Sequence, residues 1–98
     1  MCGAVVGGLG LEGVDTTQES VIQGVVVHGQ QPVGGAYVRL LDRTGEFAAE
    51  VPTSATGQFR FFAAPGDWTV RILSARSTPI DRVVKASRGG VAEMLITV

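Results

Sequence analysis

Cys2 is the only cysteine among the 98 residues, and it stands next to the initiator methionine. Methionine is normally removed before so small a residue. Removal leaves a thiol and an α-amine on adjacent carbons, and a neighbouring ammonium favours the thiolate, which is the nucleophile. Gly3, Gly7, Gly8, Gly10 and Gly13 follow, so the segment has the conformational freedom to reach into another protein's site. Cys2 is therefore the sulfur-acceptor candidate of this sequence. The bland alternative is an incidental tail cysteine that dimerises only on oxidation.

The remaining reactive side chains are sparse. His28 is the single histidine and reads as a turn or surface residue, because a metal or catalytic role needs partners that the chain scarcely supplies. Asp42, Glu46 and Glu50 lie close in sequence, yet three arginines nearby make salt bridges and a solvated strand face the simpler reading than paired acid/base catalysis. Arg39, Arg60 and Arg71 form an anion or partner contact if their outward faces coincide. Leu41, Phe62 and Leu73 are outward-facing apolar residues suited to an interface. No C-x-x-C motif is present, so neither a metal site nor any other cofactor is expected. The chain reads as a non-enzyme, with sulfur acceptance as the most it would do.

Bulk properties narrow the class. A chain of 98 residues is one domain. The hydrophobic fraction of 45% with 17% charged residues is that of a folded globular protein. A net charge of -1 lacks the basic footprint of a nucleic-acid binder. One cysteine allows no internal disulfide, no Lys or Arg precedes Arg39, and no apolar run approaches the ~20 residues of a membrane span. Together these point to a cytoplasmic protein with no membrane partner, and they leave self-association open.

Behind the reactive residues stands a β framework. Residues 1–19 read as a glycine-rich, apolar N-terminal tail and lead-in, and residues 20–98 as the folded domain. Period-two alternation predicts strands over 20–28, 35–42 and 46–52, then a hairpin over 57–73 turning at Pro65-Gly66, and further strands over 80–86 and 91–98. Ile22, Gly24 and Val26 share one face, as do Ala36, Val38 and Leu40, and Phe47, Ala49 and Val51. In the hairpin, Phe59, Phe61 and Ala63 alternate on one arm and Trp68, Val70 and Ile72 on the other. The register that keeps both sets inward puts Phe61 opposite Val70 and Ala63 opposite Trp68. It also sets Arg60 against Arg71, with Glu50 as the relieving carboxylate. Seven short strands with turn signals every ~8–12 residues are the pattern of a two-sheet β-sandwich.

The segment I-Q-G-V-V-V-H-G-Q-Q-P-V-G-G-A-Y-V-R-L, residues 22–40, resembles the opening of carboxypeptidase-regulatory-like and prealbumin-like domains. G-Q-F-R-F-F-A-A-P-G-D-W-T-V-R resembles their later Gly-x-Phe-x-Phe and Gly-x-Trp-x-Val part. The resemblance implies an all-β, seven-stranded immunoglobulin-like or prealbumin-like sandwich, with glycines at 24, 35 and 66 where a side chain does not fit or φ is unusual. Active relatives of that fold fail on inventory. Hydroxyisourate hydrolases need several histidines and a C-terminal Tyr-Arg-Gly-Ser, intradiol dioxygenases two tyrosines and two histidines, and isopeptide-forming domains Lys with Asn. This chain has one His, one Tyr, one Lys and no Asn. Over almost its whole length the chain is also similar to a small uncharacterised actinobacterial family, through the N-terminal M-C-G and the block from R-L-L-D-R-T-G-E-F to F-F-A-A-P-G. Genes of that family often stand beside rhodanese-type thiosulfate sulfurtransferases. The resemblance thus implies an accessory protein of sulfur metabolism that binds a sulfurtransferase and takes sulfane sulfur on Cys2. The competing expectation is an interaction or assembly module with no sulfur chemistry.

Overall fold

The computed structural model describes residues 3–4 and 20–98. Cys2 and almost all of the 1–19 segment lie outside the described residues. The strands are β1 (Gly3–Ala4), β2 (Ser20–His28), β3 (Gln31–Pro32), β4 (Tyr37–Leu41), β5 (Phe47–Pro52), β6 (Gln58–Ala63), β7 (Gly66–Leu73), β8 (Ile80–Ala86) and β9 (Val91–Thr97). They form two sheets packed face to face. In the first, β6 lies between β1 and β2, and β2 also pairs with β3 and, in parallel, with β9. In the second the order is β5-β4-β7-β8, antiparallel throughout.

The expected count of seven strands is corrected by the two-residue strands β1 and β3. Neither is long enough to show an alternation, and β3 contains Pro32, which reads as a turn. The seven longer strands fall where period two placed them, within two residues at each end.

The core is the shared inner face. Ile22, Val26, Phe59, Phe61 and Ile96 from the first sheet meet Val38, Leu40, Val51, Val70 and Ile72 from the second, all buried. The Phe59 and Phe61 rings stand 6.1 Å apart at 56°, a tilted geometry that aromatic pairs favour. Gly24 is required here. A Cβ at that position would collide with the Met94 carbonyl oxygen and lie 2.9 Å from the Phe59 ring.

The expected hairpin does not exist as a pair. β6 bonds to β2, with Ile22 opposite Phe61, while β7 bonds to β4 and β8, with Leu40 opposite Val70. The two arms therefore belong to opposite sheets instead of lying side by side. Alternation specifies which face of a strand is buried, and both arrangements bury the same residues. What separates them is the link at Ala64-Pro65, which crosses from one sheet to the other. Gly66 adopts φ 140°, and Trp68 Nε1 donates to the Ala64 carbonyl at 2.9 Å, tying the crossing down.

A second departure is local. β4 and β5 pair regularly from Tyr37↔Pro52 to Leu40↔Ala49, then shift so that Leu41 opposes Phe47. This bulge turns Phe47 outward, 62% exposed, although alternation puts it inward with Val51. A one-residue slip moves a side chain to the opposite face.

Candidate functional site

The outer face of the second sheet carries most of the exposed chemistry. Tyr37, Arg39 and Arg71 point outward by parity, because their neighbours Val38, Leu40, Val70 and Ile72 are buried. The registers Arg39↔Glu50, Arg39↔Arg71 and Arg71↔Asp81 align one residue from each strand in a row: Glu50, Arg39, Arg71, Asp81. Two arginines side by side repel. Each is therefore matched by a carboxylate on its far side. Arg39 Nε and Nη2 both donate to Glu50 Oε2, at 3.1 and 2.9 Å. Arg71 Nε and Nη2 donate to Asp81 Oδ1 and Oδ2 at 2.8 and 3.1 Å, the parallel two-bond arrangement that suits guanidinium to carboxylate. The hydrogen bonds from Arg71 hold the Asp81 carboxyl below its ordinary pKa, and those to Asp81 raise that of Arg71.

Apolar groups flank this row. The Arg39 guanidinium carbon lies 5.6 Å from the centre of the Phe47 ring, a cation–π contact. Tyr37 is 51% exposed and Val83 81%. Exposed aromatic residues beside arginine are the composition of a protein-binding surface.

The three arginines expected as one patch are not together. Arg39 and Arg71 share the second sheet, whereas Arg60 lies on β6 in the first, opposite Gln23, where it is buried and its Nε donates to Gln23 Oε1 at 2.8 Å. Splitting β6 and β7 between sheets also removes the expected Arg60–Arg71 opposition, and Glu50 serves Arg39 instead. The three apolar residues expected as one interface are not together either. Phe62 is on the outer face of the first sheet, Leu73 on that of the second, and Leu41, beside the bulge, is buried at 5% exposure.

The other outer face has a shallow cleft of about 270 Å³ over Gln23, Gln58, Arg60 and Glu93. Its polar groups are already bonded in part, as Arg60 to Gln23 shows. His28 is exposed at the end of β2, its Nδ1 donating to the Val98 carbonyl at 2.8 Å. Among the described residues, no three of His, Cys, Asp and Glu converge to hold a metal ion, and no helix is long and apolar enough to cross a membrane.

Sequence reasoning missed Phe47, Tyr37 and Asp81 as surface determinants. A bulge hides the first. The Tyr37-x-Arg39-x-Leu41 alternation, which sets Tyr37 outward with Arg39, signalled the second. Asp81 carried no local signal, since its partner lies ten residues away on another strand.

Fold and surface define an all-β sandwich with a polar, aromatic outer face. Similar architecture occurs in a DUF3823 family protein from Parabacteroides merdae, at TM-score 0.58 and 15% identity over 83% of this chain. It also occurs in part of a 9R-lipoxygenase from Cyanothece, at TM-score 0.52 and 16% identity over 85% of this chain. This chain spans 46% of the first structure and 17% of the second, so the likeness is one of fold. The chain belongs to the family described as protein of unknown function DUF1416, whose model matches residues 2–98. It is 55% identical over 96 residues to the uncharacterized proteins Rv0814c and Rv3118 of Mycobacterium tuberculosis, covering 96% of this chain and 95% of each relative. It is 67% identical over 64 residues to an uncharacterized protein of Mycolicibacterium smegmatis, covering 64% of this chain and 71% of the relative.

Proposed function

We propose that this chain is a non-catalytic binding module that engages a partner protein through the outer face of the β5-β4-β7-β8 sheet. One observation carries the reading: Tyr37 and Phe47 stand exposed beside an ordered Arg39–Glu50 pair. The arginine row is neutralised within the sheet, which favours a partner surface over a free anion. The sandwich is of the prealbumin-like type, with the glycine and aromatic positions that this resemblance implies. The partner is a rhodanese-type thiosulfate sulfurtransferase, the link that the gene neighbourhood of similar proteins suggests.

A second reading adds chemistry at residue 2. Strand β1 begins at Gly3 and pairs with β6, Gly3 opposite Phe62, so the chain immediately after Cys2 is in register with the domain. Cys2 thiolate attacks the outer sulfur of the transferase persulfide. The S–S bond breaks, its electron pair leaves with the transferase thiolate, and Cys2 carries the sulfane sulfur with no net redox change.

Both readings are tested together. Titrate the protein into a thiosulfate-loaded rhodanese by calorimetry, then measure intact mass with and without reductant. The module reading expects micromolar or tighter binding that falls roughly tenfold in Phe47→Ser with unchanged circular dichroism. The relay reading expects a reducible adduct of about 32 Da, one sulfur atom, that is absent in Cys2→Ser. Binding without an adduct removes the relay and keeps the module. No binding removes both.

A further inference from the structure

We infer that two copies of this chain pair through β8, antiparallel about a two-fold axis at Val83, joining their four-stranded sheets into one of eight strands. This inference is independent of the partner reading above. It rests on the free edge of the second sheet and on the order of charges along it.

Among the described residues, β8 is an edge strand, bonded to β7 alone. Its pairing with β7 runs without a shift from Gly66↔Ala86 to Ile72↔Ile80, so no bulge bends the edge away. It contains no proline. These are two of the usual protections of an edge against strand addition, and both are missing. Its charges, a third protection, are arranged to pair. Asp81, Val83 and Lys85 share the outward face, and Val83 at their centre is 81% exposed, the most exposed large apolar residue described.

A two-fold axis normal to the sheet must set outward residues against outward residues. Centring on Asp81 opposes it to its own copy, and centring on Arg82 opposes two arginines. Both place like charges face to face. Centring on Val84 sets Lys85 against Val83 and makes no ion pair. Centring on Val83 sets Asp81 against the partner's Lys85 twice, by symmetry, with valine against valine between them. Val83 is also the midpoint of Ile80–Ala86, so this register pairs the strand over its full length. The outward row then runs on from Glu50, Arg39, Arg71 and Asp81 to Lys85 and Asp67 of the second copy, because Asp67 opposes Lys85 within each chain. Among the described residues, neither of the other long edge strands, β9 and β5, offers this. In β9, Glu93 is the only charge, and pairing that strand with its copy yields no ion pair in any register. In β5, Glu50 is the only charge and Pro52 interrupts the donors.

The self-complementary order predicts an unusual mixing behaviour, measured by sedimentation equilibrium on the full chain. The wild type is expected to be dimeric at micromolar concentration. Asp81→Lys puts two cations on the outward face of the strand and Lys85→Asp two anions, so each variant opposes like charges and is expected to dissociate, with the dimer constant weakened roughly tenfold or more. Mixed in equal amounts, the two variants are expected to form a one-to-one heterodimer, since each then meets its complement. Val83→Lys in either component is expected to abolish that mixing. Circular dichroism and a thermal melt of each variant confirm the fold. Should a variant prove unfolded, Val83→Lys alone against wild type decides the matter. A wild type that stays monomeric at high micromolar concentration overturns the inference, as does a dimer indifferent to all three substitutions.

Discussion

Single side chains in this fold do positional work that local sequence only hints at. Thr53 is buried, and its hydroxyl donates to the Val33 carbonyl at 2.6 Å while accepting from the Ala36 amide at 3.0 Å. It pins the 33–36 segment that carries the chain from one sheet to the other. Thr53→Val keeps the volume and strands both backbone groups, so unfolding in urea should show a loss of about 1–3 kcal/mol. A loss within error would mean the segment finds other partners. Asp42 holds the β4–β5 turn: its Oδ1 accepts from the Thr44 amide at 2.8 Å, the Thr44 hydroxyl at 2.6 Å and the Glu46 amide at 3.0 Å. Those bonds, the Thr44 hydroxyl first, lower its pKa. The native state then binds fewer protons than the unfolded chain, so stability rises with pH in this window. The contribution is complete above the unfolded value of ~3.9 and is lost as pH falls through the lower folded value. Asp81, lowered by Arg71, acts in the same direction. Unfolding free energies measured across the acid limb should be less steep in Asp42→Asn than in the wild type. An unchanged slope would assign the acid sensitivity elsewhere.

Among the elements, strand positions and inward faces were legible, because a half-buried strand writes its orientation into period two. Ile22, Val26, Val38, Leu40, Phe59, Phe61, Val70 and Ile72 are all buried, as their alternation requires. Which strands are neighbours was not legible. The 59–63 and 68–72 arms carry the same alternation whether they share a sheet or belong to opposite sheets, so alternation alone predicts a hairpin with an Arg60–Arg71 opposition where a crossing exists. The bulge at Leu40/Leu41 was hidden for a related reason: one shifted residue leaves the composition of β5 unchanged and yet exposes Phe47. The outer face was therefore legible residue by residue and illegible as a surface. Gly24 shows the opposite case, a position read from sequence as intolerant of a side chain and found against Phe59 and Met94. Gly24→Ala should cost about 1–3 kcal/mol through forced displacement of the β9 backbone or the Phe59 ring. A gain in stability, as alanine gives in an open strand, would show that the contact relaxes freely.

At the scale of the whole molecule, the decisive pairing joins the first long strand to the last. β2 and β9 run parallel from Val21↔Val91 to Val27↔Thr97, and the contact is reinforced where Val98 N donates to the Val27 carbonyl at 2.8 Å. A parallel pair needs a long connection, and here it is nearly the rest of the domain. Folding must therefore close a loop of some seventy residues before this pair contributes, a cost that contact-order arguments associate with rates in the millisecond-to-second range. Alternation along 91–98 announces a strand and is silent about its partner, since no short-range turn selects it. Ile96, fully buried at the end of β9, closes the core from this side. Ile96→Ala should cost about 2–5 kcal/mol, as much as a truncation in the middle of the chain. If β9 docks after the transition state, the loss should appear mainly as faster unfolding in stopped-flow chevrons, with the folding limb almost unmoved. A slowed folding limb would instead put the β2–β9 closure inside the nucleus. Removing residues 91–98 should go further, leaving one edge of β2 unpaired and Phe59 uncovered, so that no cooperative melt survives. A truncated chain that still unfolds cooperatively would show that the β2–β6 pair and the second sheet hold the fold without it.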